Sequence, residues 1–406
     1  MSQRKEARPR MILRRRTKHD LPEEIVLEIL ARLPVKSLLR FRCVCKTWYS
    51  YITNPNFISA HLLCYNNHDP GYVIHMPRTT VHMAHIHRPH SQICTLALDR
   101  TFETISEFRI PFTFQSGFPD LVGSCNGILC ITDFVRSKSN DVYLWNPSIR
   151  KFKRLPNTCL TRLSYNVVLG FGYDSLNNDY KVVRLSWTCT KWVPPPEVEV
   201  YSLSSDSWKR VELGISWRPN VMHYGFDGIL AFPFVSGHLH WMIGMIKGGG
   251  QERRYTSMIL SFDVNSEKFK ELPLPDDEES GILPKCITSF KGKLALIKFE
   301  HAFSELCSIW VMREYGVLDS WNKLCVLPIE NPTAFIGFTK YGLLLVRNRS
   351  HLVSTNSELE RKDKSVLIDP EALHEEEISN QIDYLLDVAT YMENLALLDG
   401  ENVVSY

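Results

Sequence analysis

Apolar residues between Leu21 and Ile52 recur with a helical period, whereas those after residue 94 fall into short runs broken by turn residues. In the first stretch Ile25, Val26, Ile29, Leu30 and Leu33 share one helix face. Asp20 suits the N-cap and Pro22 the first helical position, with Glu23 and Glu24 in the first turn, where the helix dipole favours negative charge. Pro34 ends this helix, because the residue before a proline is pushed out of the α region. A second segment starts near Val35 and carries Leu38, Leu39, Phe41, Val44 and Trp48. Three short helices of this size fall below what usually folds alone. A partner protein is therefore expected to cover part of their apolar surface; the alternative is a helical hairpin packed on the rest of the chain.

From residue 94 the pattern becomes one of strands. Gly127–Ile131, Tyr180–Leu185, Glu197–Tyr201, His238–Trp241, Lys293–Ile297 and Gly342–Val346 alternate with Gly, Pro, Asn, Asp and Ser turns, and long helical patterns are absent. The strands repeat. Trp145 and Phe152, Tyr201 and Trp208, and Phe262 and Phe269 are aromatic pairs of one spacing, each followed by a lysine: Lys153, Lys209 and Lys270. A fourth copy, Trp310 to Trp321, has a longer connection. Each reads as a β-hairpin with a polar turn and an aromatic cross-strand pair. Another strand, opened by Gly127, Gly237 or Gly292, precedes most hairpins. Four-stranded units recurring every fifty to sixty residues or so predict a β-propeller of about six or seven blades, with a β-sandwich as the alternative. The expected fold is thus mainly β with a small α-helical N-terminal module.

Composition narrows the function. The 406 residues carry a net charge of +2, which gives no overall bias toward nucleic acid. Residues 1–19 are strongly basic, with Arg4, Lys5, Arg8, Arg10, Arg14, Arg15, Arg16 and Lys18 against Glu6. They read as a solvated, disordered leader, with a nuclear-import signal around Arg14–Lys18 as the sharper reading. No apolar run of membrane length is present, so no membrane association is expected and residence is expected in cytoplasm, nucleus or both. Eleven cysteines without a framework fit a reducing compartment, and Cys43 and Cys45 read as core-filling residues. The histidines His68, His75, His82, His85, His87 and His90 lack the acidic or cysteine partners of a metal site and read as an exposed strand or loop.

Enzymatic motifs are missing. No nucleophile elbow, phosphate-binding loop, HExxH helix or dinucleotide fingerprint stands in its required context. Gly248–Gly250 reads as a loop, Asp276–Glu279 as a solvated connection, and Cys125 within Gly123–Gly127 as part of a strand-opening turn. No catalytic residue, metal or cofactor is assigned.

Leu21-Pro22, Leu33-Pro34 followed by Val35–Leu38, and Arg42, Val44, Lys46 and Trp48 together resemble the F-box, over roughly Asp20 to Leu62. Beyond it, Gly123–Cys130, Trp145–Ser148, Gly170–Asp174, Asn178–Val183, Val198–Leu203 and Tyr391–Leu395 resemble the F-box-associated, kelch-like region of plant F-box proteins. The paired glycines of true kelch repeats are absent, and pollen S-locus F-box proteins share the layout. The resemblance implies residues 20–62 as F-box, 63–93 as linker and first strands, 94–400 as the β domain and 401–406 as a tail. It implies a substrate-recognition subunit that binds a Skp-type adaptor and, through it, cullin and RING subunits. On that reading Leu21, Pro22, Ile25, Ile29, Leu33, Pro34, Leu38, Val44 and Trp48 form the adaptor motif, with Leu21, Pro22, Leu33 and Pro34 nearest the adaptor. Some of the other apolar positions belong to the module's own core.

A protein substrate is expected at one mouth of the propeller. The variable connections there are Thr190–Pro196, Ser216–Asp227, Ile246–Arg254 and Asp276–Leu283, with Trp192, Trp217, Arg218 and Tyr255 in or beside them. Alternatively these residues cap sheet ends. The competing functions are a ligase-independent scaffold or regulatory binder, an S-locus protein recognising a secreted ribonuclease, and a nucleic-acid binder using the basic leader.

Overall fold

A computed structural model describes residues 21–66, 71–77, 93–114, 119–133, 141–159, 166–187, 195–216, 232–247, 254–275, 285–299, 306–329, 332–348, 353–355, 358–360, 364–378, 386–396 and 403–405. The chain forms two compact units that meet between Tyr65 and Asn66.

The N-terminal unit holds four helices: α1 (Glu23–Ala31), α2 (Val35–Phe41), α3 (Lys46–Thr53) and α4 (Pro55–Asn66). The fourth was not separated by the sequence pattern, which gave three. Pro22 and Pro34 are the N-caps of α1 and α2, one position before the first helical residue. Asp20 lies outside the described residues. Leu30, Ala31, Val35, Leu38, Ile52 and Phe57 form the buried interior. Buried His61 of α4 places Nε2 2.9 Å from the Leu33 carbonyl and ties α4 to the α1–α2 turn.

Six four-stranded antiparallel blades make up the second unit. Blade I contains β1 (Tyr72–Pro77), β2 (Ile93–Leu98) and β3 (Thr104–Arg109). Blade II is β4 (Pro119–Cys125), β5 (Ile128–Asp133), β6 (Val142–Asn146) and β7 (Lys151–Arg154). Blade III is β8 (Asn166–Asp174), β9 (Asp179–Trp187), β10 (Glu197–Ser202) and β11 (Ser207–Val211). Blade IV is β12 (Phe234–Val235), β13 (His238–Lys247), β14 (Arg254–Asp263) and β15 (Lys268–Leu272). Blade V is β16 (Lys285–Phe290), β17 (Lys293–Phe299), β18 (Leu306–Met312) and β19 (Trp321–Pro328). Blade VI is β20 (Pro332–Phe338), β21 (Leu344–Asn348), β24 (Lys364–Asp369) and β25 (His374–Glu377). A small hairpin of β22 (Val353–Thr355) and β23 (Glu358–Glu360) is inserted in blade VI.

The C-terminal segment closes the ring. Strand β26 (Leu386–Tyr391) pairs with β1 and becomes the inner strand of blade I. Strand β27 (Val403–Ser405) then adds to the outer edge of β7, so the expected tail carries a strand of blade II. Inner strands touch in the cyclic order β26, β4, β8, β12–β13, β16, β20 and back to β26.

Six apolar clusters fill the six gaps between neighbouring blades. Strand alternation explains their composition: Leu129 and Ile131 face blade I, while Ile128 and Cys130 face blade III. Strands covered on both faces read as continuous apolar runs, the pattern seen at Ile128–Ile131.

The repeat spacing sets register. Trp145 stands opposite Phe152, Tyr201 opposite Trp208, and Phe262 opposite Phe269. In blade V a register shift at Ile309/Trp310 puts Trp321 opposite Met312 and Lys323 opposite Trp310, so the fourth copy makes no aromatic pair. Gly127, Gly237 and Gly292 take φ of 79°, 76° and 77° in the turns between first and second strands, a region natural to glycine.

Candidate functional site

Two surfaces, one in each unit, are candidates for binding partners.

On the helical unit, the apolar face of α1 splits in two. Leu30 and Ala31 turn inward, whereas Leu21, Ile25 and Ile29 are 58, 43 and 47 % exposed. Ile25 and Ile29 are spaced by four on α1 and so stack one turn apart, with Leu21 just before the helix. Val44 and Tyr49 are also exposed, with the Arg42 guanidinium over the Tyr49 ring at 5.2 Å. Of the predicted adaptor residues, Leu21, Pro22, Ile25, Ile29, Pro34 and Val44 are exposed, and Leu33 and Trp48 are half-buried. Trp48 packs on Phe41 with ring centres 5.1 Å apart. Leu38 requires a correction: it is 0 % exposed, because it points into the interior with Leu30 and Ile52, and offers a partner nothing. Cys43 and Cys45 are exposed rather than core residues, and the Cys45 sulfur accepts the Trp48 backbone N–H at the start of α3.

On the propeller, antiparallel order sorts the connections by end. Turns between first and second strands, and between third and fourth, lie at one end and are tight. Connections between second and third strands, and from blade to blade, leave from the other. The strand ends that flank the connections 190–196, 216–227, 246–254 and 276–283 lie at this second end, in blades III to V; most residues of the connections themselves lie outside the described residues. Trp192, Trp217 and Arg218 lie outside the described residues. Tyr255 pairs with Ile246 in the β13–β14 ladder.

The ring beneath these ends is held by charged contacts between blades. Lys153 of blade II reaches Asp206 of blade III at 2.8 Å, and Lys209 of blade III reaches Glu267 of blade IV at 2.7 Å. Each is the lysine after a hairpin aromatic, paired with the acid two residues before the next blade's aromatic. The Lys181 ammonium bridges Asp174 at 2.6 Å and Glu267 at 2.9 Å. Burial alone would raise both carboxyls, but Asn177 and Lys181 at Asp174, and Lys209 and Lys181 at Glu267, hold them below the usual carboxylate range. The Trp208 and Trp321 indoles donate to the Pro156 and Pro273 carbonyls of the preceding blades at 2.8 and 3.1 Å.

Cys125 is buried and its thiol pushed up to about 12 by burial. His240 has Nδ1 3.1 Å from the Pro233 carbonyl and Nε2 2.8 Å from the Tyr315 hydroxyl, which lies 2.7 Å from Ser261 Oγ. With Nδ1–H donated to the carbonyl, Nε2 accepts from Tyr315, and burial lowers the imidazole to about 4. This inward, sealed chain joins blades IV and V. The described residues hold no cluster of metal-binding side chains and no helix long and apolar enough to cross a membrane. His75, alone among the six histidines of residues 68–90 in being described, stacks on Phe102 at 5.6 Å.

Residues 19–59 match the F-box domain and residues 62–371 the F-box associated beta propeller domain. An F-box/kelch-repeat protein of Arabidopsis thaliana is 29 % identical over 320 residues, 76 % of this chain and 80 % of that protein. The Arabidopsis F-box protein CPR1 is 28 % identical over 344 residues, 79 % of this chain and 75 % of its own. With four helices, an uncovered apolar stripe and a six-bladed ring in this order, the chain belongs to the plant F-box proteins that carry an F-box associated β-propeller domain.

Proposed function

We propose that the chain is a non-catalytic substrate receptor of an SCF-type ubiquitin ligase. The F-box unit docks on a Skp-type adaptor, which joins it to cullin and RING subunits. The long-connection end of the propeller holds a protein substrate, with Trp192, Trp217, Arg218 and Tyr255 as contact residues. Turnover follows from proximity: a bound substrate lysine meets a high effective concentration of activated ubiquitin. The chain acts in cytoplasm, nucleus or both.

The observation that carries this reading is the exposure of the apolar residues Leu21, Ile25 and Ile29, with Pro34 and Val44 of the same unit also exposed. Apolar side chains exposed in this way are what a helical partner surface buries. The test is co-purification of the full chain with a Skp-type adaptor, beside a variant carrying Leu21→Ala, Pro22→Ala, Leu33→Ala and Pro34→Ala. A wild-type complex that the folded variant loses supports the receptor. Absence of a complex with folded wild type overturns it and leaves a free-standing propeller binder. Deleting residues 20–52 separates receptor from scaffold: a receptor keeps substrate binding and loses substrate turnover.

A further inference from the structure

The inner strands of the ring surround a cavity of about 580 Å³ at the tight-turn end of the propeller axis. This is the end opposite the long connections, so the cavity is separate from the proposed substrate surface. Its size falls within the range of pockets that enclose small organic ligands.

The lining has three parts. Phe171, Phe234 and Phe338 supply aromatic wall from three different blades. Ser124, Ser289 and Thr390 add hydroxyls that make no hydrogen bond with any described residue. Lys291 and Lys340 come from the first-to-second strand turns of blades V and VI, and no carboxylate is among the described residues that line the cavity.

The lysines are not demanded by the turns that present them. Lys291 sits at φ 47°, a left-handed position that the matching turns of blades II and IV fill with Asn126 (48°) and Ser236 (51°). A short polar residue satisfies that geometry at lower cost than a long side chain. The Lys291 ammonium lies 2.7 Å from Glu371, with both side chains well exposed. Such an exposed pair contributes little, so the ammonium is able to swing to a ligand.

We propose that this cavity binds a small organic anion with an apolar, ring-like body. The body packs against the phenylalanines, the hydroxyls orient it, and its carboxylate, phosphate or sulfonate group meets Lys291 and Lys340. The proposal does not depend on the ligase reading.

The test uses the full chain and a fluorescent amphipathic anion, 1-anilinonaphthalene-8-sulfonate, with its uncharged parent N-phenyl-1-naphthylamine as control. Two variants isolate the site. Lys291→Gln with Lys340→Gln removes the charge. Gly123→Leu fills the cavity, since Gly123 lines it and a Cβ there meets no atom within 4 Å. The expected result is saturable binding of the anion, about tenfold weaker in the double lysine variant and lost in Gly123→Leu, with thermal melting of both variants unchanged. The uncharged parent is expected to bind more weakly and to ignore the lysine changes. No saturable binding overturns the proposal. So does binding of equal strength in all three proteins, which would put the dye on another apolar surface such as the F-box stripe.

Discussion

The Lys153 ammonium lies 2.8 Å from Asp206 in the next blade, with the lysine side chain wholly buried and the carboxylate about one-third exposed. Asp206 also accepts from the Tyr201 hydroxyl at 2.8 Å. Asp206→Asn removes a counter-charge from a buried cation, and the partial exposure discounts the cost to about 2 kcal/mol. Lys209→Ala, breaking the more exposed pair with Glu267, is expected to cost less than about 1 kcal/mol. Denaturant midpoints of the two variants check this. Equal midpoints would show that burial of Lys153 adds nothing.

Two glycines of closely similar φ, 79° at Gly127 and 76° at Gly237, are expected to respond differently to alanine. At Gly127 a Cβ would run into the Met392 carbonyl oxygen, whereas at Gly237 its nearest neighbour is an Asn265 side-chain nitrogen at 3.8 Å. Gly237→Ala should cost the backbone strain alone, about 1 kcal/mol. Gly127→Ala should cost several times more, because the C-terminal segment has to move. Thermal melts of the pair decide it.

Acid should loosen the ring partly through His240. The imidazole titrates at about 4 when folded and at its ordinary value of 6.5 when unfolded. Between these values the unfolded state binds the extra proton, so stability falls as pH drops from 6.5 toward 4, by up to about 3 kcal/mol. Above pH 6.5 the group is neutral in both states and contributes no slope. Unfolding free energies of wild type and His240→Gln across pH 4–8 measure this: the variant should show a shallower acid slope, and parallel curves would refute the assignment.

Within the F-box unit, stability and binding should separate. Leu38→Ala opens a cavity in the interior and is expected to cost about 2–5 kcal/mol, read as faster proteolysis of the helical unit. Ile25→Ala and Ile29→Ala remove exposed surface and should leave proteolysis unchanged while weakening adaptor capture. Loss of both properties in all three variants would contradict the division.

The sequence disclosed what local rules control. Hairpins with short turns have their register fixed by turn length, so Trp145/Phe152, Tyr201/Trp208 and Phe262/Phe269 were legible as pairs. Trp310/Trp321 was not, because a bulge and the short 3₁₀ turn Leu318–Ser320 displace the return strand. The helical period located the apolar residues of α1 but could not assign Ile25 outward and Leu30 inward, since the two arcs have the same chemistry. The attachments of β26 and β27 join residues far apart in sequence and leave no periodic trace. The lysines after the hairpin aromatics were visible as a repeat; their partners in the next blade became visible only once the blades stood side by side.

Blade I is assembled from both ends of the propeller sequence, and this sets a schedule for the protein's birth on the ribosome. Blades II to VI are emitted as contiguous stretches, each able to pair its four strands as it emerges. Strand β1 leaves the tunnel early and waits, one edge unpaired, until residues 386–391 arrive. Such an open edge invites pairing with another chain. A premature stop between blade VI and Leu386 therefore leaves a ring with every blade but the first complete, a permanent gap at β1 and an exposed strand edge.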